Sequence, residues 1–151
     1  TPWLSSDVPN LRALSPVHGN ARATLLGGAI ALLAPSRYIE PFCGVTVEAN
    51  LCGVPALTSD FGVFSETIEN AANGWRCRTL GDWLAAIEWS EQVDEFDRNM
   101  ISTGARTRYS LEAIGPRYLQ VFEQILDLEG AGWYTPRSSI GPITKVQGRA
   151  S

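Results

Sequence analysis

The chain has 151 residues, 44% hydrophobic and 19% charged, a composition that suits one globular domain with a single core and excludes a disordered polyelectrolyte. A formal net charge of -4, a pI near 5.0 and a single lysine, Lys145, leave no clustered cations to neutralise phosphates, so nucleic acid is not expected as a partner. The longest apolar run, residues 29–35, falls well short of the roughly 20 residues that span a bilayer. Cys43, Cys52 and Cys77 offer neither an even set nor a metal-ligand spacing, so a cytoplasmic chain without an integral membrane segment, disulfide framework or metal site is expected.

The chain opens on Thr1 rather than Met and enters a strand-like segment almost at once, so upstream sequence is expected to be missing. Asn10–Leu14 reads as a short strand, Asn20–Gly28 as a helix, and Ala29–Ala34 as an apolar strand buried on both faces. After the loop Pro35-Ser36-Arg37, a mostly buried helix is expected from Pro41, with Phe42, Val45, Val47, Ala49 and Leu51 on its apolar positions and Gly53 as its stop. Ala56–Thr58 reads as the next strand, Phe64–Asn70 as a helix and Gly74–Arg78 as a strand. Leu80–Glu88, Val93–Thr103 and Leu111–Leu128 follow as amphipathic helices. Strand alternating with helix over short loops predicts the α/β class: a Rossmann-like open parallel sheet with helices on both faces. Residues 1–128 form the expected domain, and residues 129–151, rich in Gly, Pro, Ser and Thr, an extended or disordered tail.

In an open parallel sheet, ligands bind beyond the carboxyl ends of the strands, which directs attention to the loops after Leu14, Ala34, Thr58 and Arg78. The loop after Ala34 leads into a helix whose first turn carries Gly44, and the free amides and positive dipole end of such a turn suit an anion such as a diphosphate. Glu40 and Glu48 bracket that turn in an E-x7-E spacing. As carboxylates they could accept hydrogen bonds from sugar hydroxyls at both ends of a nucleotide sugar, or they could be a helix-start acid and a solvated acid.

The stretch from Ala34 to Thr67, with Pro35-Ser36, Glu40-Pro41-Phe42, Glu48, Gly53-Val54-Pro55 and Gly62 through Glu66, resembles the signature of retaining GT-B glycosyltransferases of the large group 1 family, which includes sucrose-synthase, mannosyltransferase and glycogen-synthase-like enzymes. The similarity runs from about Asn10 to about Leu128. It implies the nucleotide-sugar-binding, carboxyl-terminal part of a GT-B fold, whose parent transfers a sugar from a nucleotide diphosphate sugar to a sugar, lipid or protein acceptor with retention of configuration. No cofactor is implied beyond that donor substrate, and no divalent ion. Carried over by position, the resemblance implies that Glu40 is the catalytic-site carboxylate on the donor sugar. The amides of Phe42, Cys43, Gly44 and Val45 would face the diphosphate, Glu48 would hold the ribose diol, and Ser15–His18 would lie against the base.

Two departures stand out. Cys43 occupies the place of the family's usual Gly after the Phe, so its side chain must point away from the ligand, and the family's Gly-Gly pair is here Phe61-Gly62-Val63. The family's Arg/Lys pair for the diphosphate and its amino-terminal acceptor domain are absent from this sequence, so the chain alone is expected to be inactive. Two other readings remain: an epimerase or phosphorylase-like enzyme on the same fold, and a non-catalytic nucleotide-binding or interaction domain. His18, Arg37, Asp60 and Glu66 could each touch ligand, but each also has a local role open to it as a loop, ion-pair or helix-start residue. Trp75, Trp83 and Trp89 are expected to pack the later helices.

Overall fold

The computed structural model describes residues 9–130, with side chains described to residue 128. Its elements are α1 (Gly19–Gly27), β1 (Leu32–Ala34), α2 (Gly44–Leu51), β2 (Ala56–Ser59), α3 (Phe64–Thr67), β3 (Gly74–Cys77), α4 (Leu80–Ser90), α5 (Glu95–Tyr109) and α6 (Leu111–Gly130). The three strands form one parallel sheet in the order β1-β2-β3. Leu32 pairs with Ala56, and Ala56 in turn pairs with Gly74, so the carboxyl ends of all three strands lie along one edge. The chain divides into a compact unit through Ala113 and a second from Ile114 onward, of which residues 114–130 of α6 are the described part. In α6 the apolar residues Tyr118, Phe122 and Ile125 recur at helical spacing and are exposed.

Both faces of the sheet are covered over β2 and β3, while β1 is covered on one face. On one face Ala56 packs with Phe64 and Ile68, joined by Leu32, Ala34, Cys43 and Val63. On the other Leu57 packs with Cys77 and Ala86, joined by Trp75, Trp83 and Trp89, with the Trp75 and Trp89 rings 5.7 Å apart. The tryptophans thus carry packing, and burial pushes the Cys77 thiol up to about 11, marking it as a core group. Gly74 is demanded by the sheet itself: a Cβ there would lie 2.0 Å from the Ala56 carbonyl oxygen.

A polar network ties α2 to the turn before β3. The Asn50 side chain, 4% exposed at the residue level, donates to the carbonyls of Val54 (3.0 Å) and Asn73 (2.9 Å). Asn73 donates back to Asn50 Oδ1 (3.2 Å) and to the Thr67 carbonyl (2.9 Å). Arg98 of α5 adds a second tie, donating to the carbonyls of Gly53 (3.1 Å) and Ala29 (2.6 Å).

Several boundaries differ from those expected. Asn10–Leu14 is not a strand: among the described residues no strand pairs with it, Leu11 and Leu14 stay exposed, and an unpaired extended segment gains nothing from apolar alternation alone. The strand expected over Ala29–Ala34 begins only at Leu32, where its partner strand begins, and it is not buried on both faces, because α4 packs on β2 and β3 and leaves Leu33 52% exposed. The helix expected from Pro41 starts at Gly44, since Cys43 before it is left-handed (φ 55°, ψ 66°) and cannot be a helical residue. Helix α3 stops at Thr67 because Ile68 is extended. Helix α5 runs on to Tyr109, past Gly104, which no neighbouring atom approaches and which therefore costs only its modest propensity. From residue 131 on, the expected tail lies outside the described residues.

Asn50→Ala would leave the buried Val54 carbonyl without its side-chain donor and remove both Asn50–Asn73 hydrogen bonds, although the Asn73 carbonyl keeps the Ala56 amide and the Asn73 amide keeps the Thr67 carbonyl. It is expected to lower unfolding stability by about 3 kcal/mol in urea denaturation, against less than about 0.5 kcal/mol for an exposed control such as Asn99→Ala.

Candidate functional site

Residues 35–43 form the loop that leaves β1 at the carboxyl edge of the sheet and delivers the chain to the start of α2. Three hydrogen bonds give this loop its shape. Ser59 Oγ, at the end of β2, donates to the Ser36 carbonyl at 2.7 Å. Ser36 Oγ donates to Glu40 Oε1 at 2.7 Å. The Val63 amide donates to the Glu40 carbonyl at 3.1 Å. Gly62 adds a close approach: at φ 67°, a Cβ there would meet the Glu40 nitrogen at 3.1 Å and its carbonyl oxygen at 3.2 Å. Of the expected Gly-Gly pair, the one glycine retained is thus the one that packs on the Glu40 backbone.

Beside the Glu40 carboxylate, the Tyr38 phenol is raised above its ordinary value first by that carboxylate and then by desolvation. The Ser36 hydroxyl fixes Glu40 before any ligand arrives. Glu40 in turn acts on Cys43, whose thiol is raised first by desolvation and then by the Glu40 charge.

The start of α2 has an unusual cap. Cys43 stands at the cap position without capping through its side chain, while α4 and α5 each open with a reciprocal capping box, Thr79 with Asp82 and Asp94 with Asp97. The first amides of α2, including Gly44 and Val45, have no carbonyl one turn back within the helix. The Cys43 side chain packs inward against the cluster of Ala56, Phe64 and Ile68. Its left-handed backbone gives a physical reason for the Gly usual at this place. Phe42 is exposed, with its ring edge-on to Tyr109 of α5 at 6.2 Å.

Glu48 sits one turn into α2 and faces α1, where its Oε2 forms an ion pair with the Arg22 guanidinium. The two line a shallow cleft of about 300 Å³ between α1 and α2 with Gly19, Ala23 and Leu51. Glu40, Phe42, Cys43, Gly44 and Val45 are thus gathered around one helix start, while Glu48 belongs to the neighbouring groove. Arg22 and Ser36 were not among the residues singled out by sequence. Ser36 was legible in the Pro-Ser pair; Arg22 had no local signal, because its partner lies 26 positions away.

The remaining candidates take structural places. Asp60 is ion-paired with Arg76 (3.2 Å) and Arg78, and with Ser36, Arg37 and Trp83 it lines a cleft of about 580 Å³ across the carboxyl ends of the strands. Glu66 lies in the first turn of α3. His18 precedes α1, is exposed and makes no side-chain capping bond. A further cleft of about 380 Å³, lined by Asn50, Trp89, Met100 and Tyr109, opens beside the turn before β3, away from the Glu40 loop. Among the described residues no helix is long and apolar enough to cross a membrane.

Two substitutions probe this geometry by denaturation and by amide chemical shifts. Cys43→Gly exchanges backbone strain for lost thiol packing and should change stability by less than about 1 kcal/mol, whereas Cys43→Val, β-branched at a positive φ, should cost about 2–3 kcal/mol. Gly62→Ala should cost about 2 kcal/mol and shift the Glu40 amide resonance, because the new Cβ displaces the Glu40 backbone.

The sequence pattern of the family Glycosyl transferases group 1 matches residues 12–107, more than half of the chain, and the chain belongs to that family. No curated protein matched it.

Proposed function

We propose that this member of the group 1 glycosyl transferases is the part of a retaining, GT-B-type enzyme that binds the nucleotide diphosphate sugar. The observation that carries the reading is the uncapped start of α2 with a prearranged carboxylate on either side of it. Open amides at the positive end of a helix dipole are worth most to a ligand carrying a diphosphate, and a glycosyl transfer needs that leaving group stabilised as the sugar bond breaks.

In this reading the amides of Phe42 through Val45 cradle the diphosphate, with the Cys43 side chain tucked beneath them. Glu40 accepts hydroxyls of the donor sugar. Because Ser36 already orients it, little ordering remains to be done when the sugar arrives. Glu48 accepts from the ribose. The sugar passes to an acceptor hydroxyl on the face where the new bond replaces the old one. The acceptor, and further cations for the diphosphate, come from sequence outside this chain, so donor binding rather than turnover is the property to measure here.

Calorimetric titration of the 151-residue chain with UDP, GDP and ADP is expected to show one nucleotide bound in preference to the others. Glu48→Ala should weaken that nucleotide about tenfold to a hundredfold, the value of a hydrogen bond to a charged group. Binding of none of the three, or binding indifferent to Glu48→Ala, would contradict the reading.

A further inference from the structure

We infer that Arg22 is a positioning residue for the donor nucleotide: its ion pair holds the Glu48 carboxylate in the orientation that receives the ribose hydroxyls. The inference rests on the donor-site reading above and assigns a role to a residue on a different helix.

Glutamate is among the side chains with most rotamer freedom to lose when it is fixed in place. Glu40 meets that cost through the Ser36 hydroxyl. Glu48 has no such partner. Among the described residues, the polar group in contact with its carboxylate is the Arg22 guanidinium, and the contact withdraws Oε2 from solvent. Oε1 is left as the oxygen for an incoming hydroxyl.

The pair is a poor candidate for a stability device. Its side chains are 38% and 43% exposed, and ion pairs at that exposure contribute little to folding. Helix α1 buries no residue of its own, so Arg22 is not placed by a core. It lies in the opening turn of α1, directly after the Ser15–His18 loop, and α1 packs against α2. The Arg22–Glu48 contact therefore links the segment proposed to meet the base with the carboxylate proposed to meet the ribose, across a cleft that both residues line.

The test compares two ligands on four proteins. The preferred nucleoside diphosphate of the set UDP, GDP and ADP and its 2′,3′-dideoxy counterpart are titrated into the wild-type chain, Arg22→Ala, Glu48→Ala and the double variant. If Arg22 acts through Glu48, Arg22→Ala weakens the ribonucleotide about three- to tenfold, changes the dideoxy ligand less than about twofold, and adds nothing on top of Glu48→Ala. Equal weakening of both ligands by Arg22→Ala overturns the inference, because a structural role or a direct phosphate contact does not depend on ribose hydroxyls. Should Arg22→Ala disturb α1, as judged by thermal midpoint, Arg22→Lys, which keeps the charge and loses the planar fork, carries the same comparison with a smaller expected loss. Nucleotide binding in which Glu48→Ala does not distinguish the two ligands, or no binding at all, overturns the donor-site reading itself, and the role of Arg22 with it.

Discussion

The geometry of the site depends on the contact between the backbone of Glu40 and the turn after β2. The Val63 amide holds the Glu40 carbonyl, and Gly62 lies so close to the Glu40 backbone that even a methyl group would crowd it. With Glu40 pinned there and the Ser36 carbonyl pinned by Ser59, the loop has little freedom left, and it must turn sharply at Cys43 to enter α2. The left-handed Cys43, the late start of α2 and the open amides at that start all follow from this anchoring.

The chain opens α2 differently from the long helices α4 and α5. In α4 and α5 a capping box opens the helix, and the backbone carbonyls just past α2's far end are satisfied by Asn50 and Arg98. At the near end of α2 the cap is withheld and a non-glycine residue accepts a strained backbone. Local rules broken at one end of a helix and observed at the other point to a place shaped for something other than stability.

Much of this was legible in the residues. The alternation of apolar segments gave the parallel α/β sheet, Gly53 marked the end of α2, and the Pro-Ser, Glu-Pro-Phe and second Glu elements led to the family. Boundaries failed where context outweighed pattern. Among the described residues Asn10–Leu14 has no partner strand, Leu33 is exposed, and the sharp turn at Cys43 delays a helix that Pro41 would suit on propensity alone. The Arg22–Glu48 pair and the Gly62–Glu40 approach were beyond sequence reading because each joins positions more than 20 residues apart on separate elements, and neither residue type signals its partner.

The central claim, that the start of α2 between Glu40 and Glu48 receives the donor diphosphate, is tested most directly by titrating isotopically labelled chain with the preferred nucleoside diphosphate and following backbone amide resonances. The account predicts that the largest shifts fall on Cys43, Gly44 and Val45, with smaller ones reaching Glu48 and Arg22. Saturable shifts that leave those amides unmoved and gather instead around Trp89, Met100 and Tyr109, in the cleft beside the turn before β3, would contradict it.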